Sequence, residues 1–303
     1  MLKRLAGVLM TVFGVLLLTF MLLHLVPGDP VEVMLGESAT GADRVALRAG
    51  LGLDQPLPVQ FAGYLGKLGR GDFGFSIHSH TPISRLLAER LPATVRLALL
   101  SLLIALLVGI PLGVAAALRQ NRWPDLLATM SALTLSAMPS FWLGPLLMLV
   151  FALWLGWLPV SGMESASAIV LPALTLAGGL VAILTRMTRV SLLEVLNEDF
   201  IRTARAKGLP EATVILRHAL RAALLPVVTV VGLQLGSLLT GAVITETVFG
   251  REGIGRLLVE SIGQRDYPVT QACVLVIALT YVLVNVLTDL LYSRVDPRIR
   301  FVP

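Results

Sequence analysis

His78 and His80, on either side of Ser79, could offer two imidazoles to one divalent cation. A protein metal site needs a third ligand, and no further His, Cys or carboxylate pattern with ligand spacing stands nearby. A solvated loop is the stronger reading. Cys273 lies in an apolar run and reads as a buried, inert thiol. Gly66-Lys67 is followed by Leu68, so the G-x-x-x-x-G-K-[ST] loop that cradles nucleotide phosphates is missing. H-E-x-x-H and G-x-S-x-G are missing too. No catalytic residue, metal or cofactor is therefore expected. The acids nearest the apolar runs are Glu246 and Asp289. Either could line a pathway or pair with an arginine. An ion-coupled pump needs a relay of membrane-embedded carboxylates, and this chain does not offer one. A stand-alone secondary transporter is thus disfavoured, and energy for any transport must come from elsewhere.

The richest polar chemistry lies between residues 190 and 224. There Arg202-Thr203-Ala204-Arg205-Ala206-Lys207-Gly208 is followed by Pro210, and then by Arg217-His218 and Arg221. Ala204 to Lys207 favour helix, and Gly208 with Pro210 stops it. A short helix with small residues can enter a groove on another protein, while its arginines pair with acids there. Gly208 as a simple helix cap, and the cations as membrane-side anchors, are plainer roles that can coexist with docking.

Elements that position such a loop follow from composition. Of 303 residues, 56% are hydrophobic and 14% charged, with mean hydropathy +0.84. Soluble domains carry about 25% charge, so this is a membrane chain. A span needs about 20 apolar residues in a helix that satisfies its own backbone. Six stretches qualify, near 5–26, 95–118, 130–157, 169–189, 225–248 and 270–292. The predicted fold is an all-α membrane protein with six transmembrane helices. Both termini are cytoplasmic, and a small extracytoplasmic insertion separates the first two helices. Residues 1–26 form the first helix, 27–94 the insertion, and 95–303 a five-helix core carrying the 190–224 loop. Within the insertion, Leu57–Leu68 suits a short helix. Pro27 and Pro30 end the first span, and Pro139 and Pro145 kink the third or delay its start. This orientation puts most of the 24 Lys and Arg residues inside, as the positive-inside bias requires. It also explains a pI near 9.9 without nucleic acid. Trp123, Trp154 and Trp157 fall at span ends, where the indole ring prefers to sit.

The loop resembles the coupling motif of ABC-importer permeases, in which a Glu-Ala-Ala and a later Gly mark a helix that docks on the ATPase. Here those positions hold Arg202, Thr203, Ala204 and Gly208, so the Glu is replaced. The form RTARAKGL…HALR.ALLP is similar to the dipeptide/oligopeptide/nickel permease family, first permease type. Further blocks extend the likeness over nearly the whole chain. They are LVPGDP (25–30), LGLDQPLPVQ (51–60), GDFG.S (71–76), LPATVRLA (91–98), PSFWLG (139–144), LGWLPVSG (155–162), LTGAVITETVF (239–249), DYPV (266–269) and D..YS..DPRIR (289–300).

The resemblance implies a second permease, one or two ABC ATPases, an extracytoplasmic substrate-binding protein and a bacterial inner-membrane setting. Arg202, Thr203, Ala204, Arg205, Ala206, Lys207, Gly208 and His218 become the expected ATPase-coupling residues. Glu246, Phe249, Gly253, Gly255 and Asp266 are expected to meet the pathway or the binding protein, with an ordinary surface loop as an even alternative for 249–268. Di- and oligopeptides are the leading substrate class, and nickel chelate and glutathione the alternatives. Gly236, Ser237, Thr240 and Gly241 make a small-residue stripe suited to close helix packing, against the second permease or within the chain.

Overall fold

The computed structural model describes residues 2–25, 31, 40–162 and 166–295. Among these the secondary structure is helical, apart from one isolated bridge between Phe75 and Pro82. Val26–Pro30 and the DPRIR ending at 296–300 lie outside the described residues. The helices are α1 (Leu2–Leu25), α2 (Gly41–Leu51), α3 (Leu57–Gly69), α4 (Ile83–Leu118), α5 (Trp123–Ala137), α6 (Ser140–Leu147), α7 (Val170–Leu196), α8 (Asp199–Ala206), α9 (Leu220–Phe249), α10 (Ile254–Gly263) and α11 (Tyr267–Val295). A π-helical turn, Met148–Trp154, prolongs α6, and another, Val214–Ala219, leads into α9.

Four described helices are long and apolar enough to cross a membrane: Ile83–Leu118, Ser167–Leu196, Glu211–Phe249 and Tyr267–Thr288. A fifth span arises if α5 and α6 count as one, although they meet at 113°. The apolar stretch described in α1, Ala6–Met21, is shorter than these. The third expected span, 130–157, therefore starts earlier, at Trp123, and is two helices. Pro139 causes the break: it cannot donate a backbone bond, and it drives Met138 to extended geometry (φ −85°, ψ 119°). Pro145, by contrast, stays inside α6. The second span also starts earlier than expected, because α4 begins at Ile83. Its first turns carry Arg85, Glu89 and Arg90, which hide them from a hydropathy reading. The short helix expected over Leu57–Leu68 is present as α3.

The chain divides into two compact units. One comprises 94–251 with 284–303. Its core joins Leu97 and Ala105 of α4 to Leu176, Leu180 and Leu184 of α7 and Val227, Leu238 and Ala242 of α9. Gly109 and Gly113 let α4 lie close against Leu184, Thr185 and Thr188 of α7. A Cβ on Gly113 would stand 2.6 Å from the Thr185 carbonyl oxygen, which no rotamer change can relieve. Gly241 from the small-residue stripe faces inward, where a Cβ would meet Leu176 Cδ1 at 2.8 Å. Part of the stripe therefore serves internal packing.

The other unit comprises 1–93 with 252–283. Phe13 and Phe20 of α1 pack edge-on against Phe61 of α3, at 6.0 and 5.2 Å between ring centres. Its larger apolar cluster gathers Ile83, Leu87, Ile254, Val269 and Cys273.

Candidate functional site: the basic loop at 199–218

Local rules build α8. Glu198, in extended geometry, precedes the helix; Asp199 occupies its first turn and Arg205 its last, each the sign the helix dipole favours. Lys207 closes the helix, its N–H donating to the Thr203 carbonyl at 3.1 Å. Gly208 then turns left-handed at φ +75°, and its N–H donates to the Arg205 carbonyl at 2.9 Å. That conformation costs an L-residue roughly 1–2 kcal/mol, so glycine suits the position. Pro210 starts the next turn, Glu211–Thr213.

The helix is two-faced. Ile201 (0% exposed) and Ala204 (7%) point into a cluster with Ala117 of α4, Leu192 of α7, Val214 and Ala219 of the π-helical turn, and Ala223 of α9. Burying Ile201 alone is worth about 1.5–3 kcal/mol. Ser191 adds a polar tie by donating from Oγ to the Ala223 carbonyl at 2.9 Å. The loop is thus bolted to the ends of three long helices, and a push on it would be passed to them.

Arg202, Thr203, Arg205, Ala206, Lys207 and Gly208 are all exposed on the other face. Arg205 bridges the turn to Glu211 with two bonds, Nη2 to Oε1 at 2.7 Å and Nε to Oε2 at 3.2 Å. Its guanidinium is held above the ordinary arginine range chiefly by that bonding. Arg202 reaches Asp199 at 3.3 Å in full solvent, where such pairs add little. Nothing lies within 4 Å of a Cβ built on Gly208, so the helix end is open. His218 is half-buried in the π-helical turn that packs against α8, beside the loop surface and not on it. Two residues escaped the sequence reading: Phe200 and Leu209 are exposed apolar side chains flanking the basic face. Phe200 is out of phase with the buried Ile201 and Ala204, which is the signal that could have marked it.

The remaining expected site residues are buried within their own units. In the 94–251 unit, Glu246 accepts a 2.5 Å bond from Thr94 Oγ1. Phe249 packs on Gly144, whose Cβ would lie 3.1 Å from its ring. Arg251 follows, buried, with a side-chain Nε that has no hydrogen-bond partner among the described residues. Burial presses its guanidinium below the ordinary range, against the pull of the Glu246 charge. In the other unit, Gly253 caps α10 and Gly255 is buried within it. Asp266 accepts from Ser76 Oγ at 2.5 Å and sits at the start of α11. His78 Nε2 lies 2.8 Å from the Gln264 carbonyl oxygen, so it ties down the 72–82 loop.

Openings lie in the 94–251 unit, two of them at the ends of α5. A cleft of about 220 Å³ at the α5–α6 break is lined by Met138, Ser140, Thr175, Gln234 and Ser237 among others, with no charged side chain. A larger one, about 870 Å³, lies where α5 begins, beside Arg119, Arg122 and the Asp125–Arg189 pair. Arg189 binds Asp125 with two bonds, Nε to Oδ1 at 2.5 Å and Nη2 to Oδ2 at 2.8 Å, joining α7 to α5.

Known proteins resemble this chain in sequence or in fold. Residues 109–301 match the family of binding-protein-dependent transport system inner membrane components, and residues 1–98 match its N-terminal companion. The glutathione transport system permease protein GsiC of Salmonella paratyphi A is 46% identical over 300 residues, covering 99% of this chain and 98% of that protein. The Escherichia coli K12 protein of the same name is 44% identical over 299 residues, with the same coverage. Among solved structures, an inward-facing MetNI methionine ABC transporter superposes with TM-score 0.59 at 19% identity, over 70% of this chain and 96% of that one. An amino acid ABC transporter with histidines gives 0.56 at 17%, over 70% and 94%. Long apolar helices, a basic loop bolted beneath them and relatives of full length converge: the chain belongs to the binding-protein-dependent transport inner membrane components, as a non-catalytic, multi-pass permease subunit of an ABC importer.

Proposed function

We propose that this permease pairs with a second, different permease to enclose a pathway for small peptides, and that α8 is the handle by which one or two ABC ATPases drive it. The observation that carries the reading is the division of α8 into a bolted face, Ile201 and Ala204, and an open basic face ending at Gly208. Coupling then falls to Arg202, Thr203, Ala204, Arg205, Ala206, Lys207 and Gly208, with His218 supporting from behind. Phe200 and Leu209 supply apolar contacts on either side of that basic face.

Six spans with both termini cytoplasmic give the topology. It rests on counting α1 as a span and α5 with α6 as a broken one, and it leaves α2 and α3 outside with the binding protein. Glu246, Phe249, Gly253, Gly255 and Asp266 act mainly by holding the helix ends of the outer side in place, since each is buried. The uncharged cleft at the α5–α6 break is the part of the pathway this chain contributes. It offers hydroxyl and amide groups to a peptide backbone and no charge to sort side chains by.

Di- and oligopeptides remain the substrate class. The full-length relatives named for glutathione transport give that tripeptide more weight than the sequence alone did. The test is uptake by the whole assembly, reconstituted with its binding protein. Accumulation of labelled glutathione or a dipeptide should require ATP and the binding protein together. Uptake by this chain alone, or uptake driven by an ion gradient, would overturn the reading.

A further inference from the structure

The geometry points to an anionic phospholipid site where α4 meets α5. Residues between these helices form a turn that is fixed from beneath. Asn121 is left-handed at φ +61°, and its N–H donates to Asp125 Oδ2 at 2.8 Å. Asp125 is itself 4% exposed and clamped by Arg189. The turn is therefore rigid, and it presents Arg119 and Arg122 to the cleft of about 870 Å³. Arg186 lines an adjoining cleft of about 230 Å³ that shares Thr129 and Arg189 with the first.

Charge decides what this cleft prefers. Asp125 is, among the described residues, the only acid lining either opening, and Arg189 consumes its charge. Among the described residues, Arg119, Arg122 and Arg186 have no acid within ion-pair distance. Planar guanidinium groups at such density suit a phosphate diester, which accepts paired N–H bonds.

The occupant is a lipid, because the cationic cleft continues into an apolar strip. Trp123 (74% exposed), Leu127 (60%), Met130 (52%) and Leu133 (49%) follow one another at helical spacing along α5. A soluble anion gives this strip nothing to do, whereas acyl chains lie along it while the headgroup meets the arginines. Exposed tryptophan beside unpaired arginine at a span's end is the pattern of the membrane interface. Basic pockets between spans on the cytoplasmic side take anionic headgroups. The site rests on the topology proposed above, but not on any substrate.

The test uses the whole assembly in phosphatidylcholine vesicles containing phosphatidylglycerol, released into native mass spectrometry to count retained lipid. Wild type should retain phosphatidylglycerol in preference to phosphatidylcholine. Each arginine removed should weaken apparent affinity roughly fivefold, so that Arg119→Gln with Arg122→Gln abolishes the preference. The same two positions as Lys should keep part of it, through charge alone, and Arg85→Gln, an exposed arginine near the start of α4, all of it. An unchanged preference in the double Gln variant overturns the proposal. So does displacement of the lipid by inorganic phosphate, which marks a soluble-anion site. Loss of a partner subunit from the double Gln assembly also overturns it, since the arginines then face protein.

Discussion

Gly208→Trp should insert and accumulate in the membrane as the wild type does, yet import nothing. In the isolated chain the position is open, with no atom within 4 Å of an added Cβ. The only local cost is the left-handed backbone, about 1–2 kcal/mol for a residue with a side chain. That is too little to unfold a helix held by Ile201 and Ala204 in a closed cluster. On the proposed docking, an indole at the end of α8 fills the space into which the ATPase closes. Uptake in cells expressing the rest of the importer should fall to background. Gly208→Asn separates the two roles of this residue. Asparagine tolerates the left-handed region, so it keeps the cap and adds little bulk. It should retain most uptake, and full uptake by the Trp variant would show that Gly208 is only a cap.

The second large effect concerns Asp125. Replacing it by Ala leaves the Arg189 guanidinium without its partner, while the Asn121 N–H loses its acceptor. Breaking such a pair costs about 3 kcal/mol, the low end of the usual range because Arg189 keeps a quarter of its side chain exposed. For a cooperative unit of the size that holds this pair, the midpoint in a thermal aggregation assay should drop by roughly 6–12 °C. The double variant Asp125→Leu with Arg189→Met should recover most of the loss, because neither charge is then stranded. A single variant as stable as the wild type would mean that water already screens the pair.

Much of this architecture was open to reading from residues. The helix ending at Lys207 follows from Ala204–Lys207 and the Gly208–Pro210 stop. The break in the third span follows from Pro139, and α3 from Leu57–Leu68. What escaped depends on distance along the chain. Asp125 and Arg189 are far apart in sequence, and neither residue carries a local sign of its partner. Gly109 and Gly113 have the small-xxx-small spacing of tight helix contacts, but the partner, the 185–188 turn of α7, is visible only in the fold. The early start of α4 was hidden by Arg85, Glu89 and Arg90, which lower hydropathy without lowering helix propensity. Glu246 was legible as an acid near a span end, and Asp266 only as part of the DYPV block. That each would accept a buried hydroxyl, from Thr94 and Ser76, was not.

The basic face of α8 as an ATPase contact can be examined in the native membrane. Lys207→Cys carries a side chain that points to solvent, and Val259→Cys, on α10, is exposed at a place expected to lie on the opposite side of the membrane. A short photoactivatable cross-linker on each should be followed by identification of the attached peptide. Lys207→Cys should capture the ATPase subunit, more strongly when nucleotide is trapped, and Val259→Cys should not. An active importer in which Lys207→Cys captures only lipid or the second permease would contradict the docking of the motor at this loop.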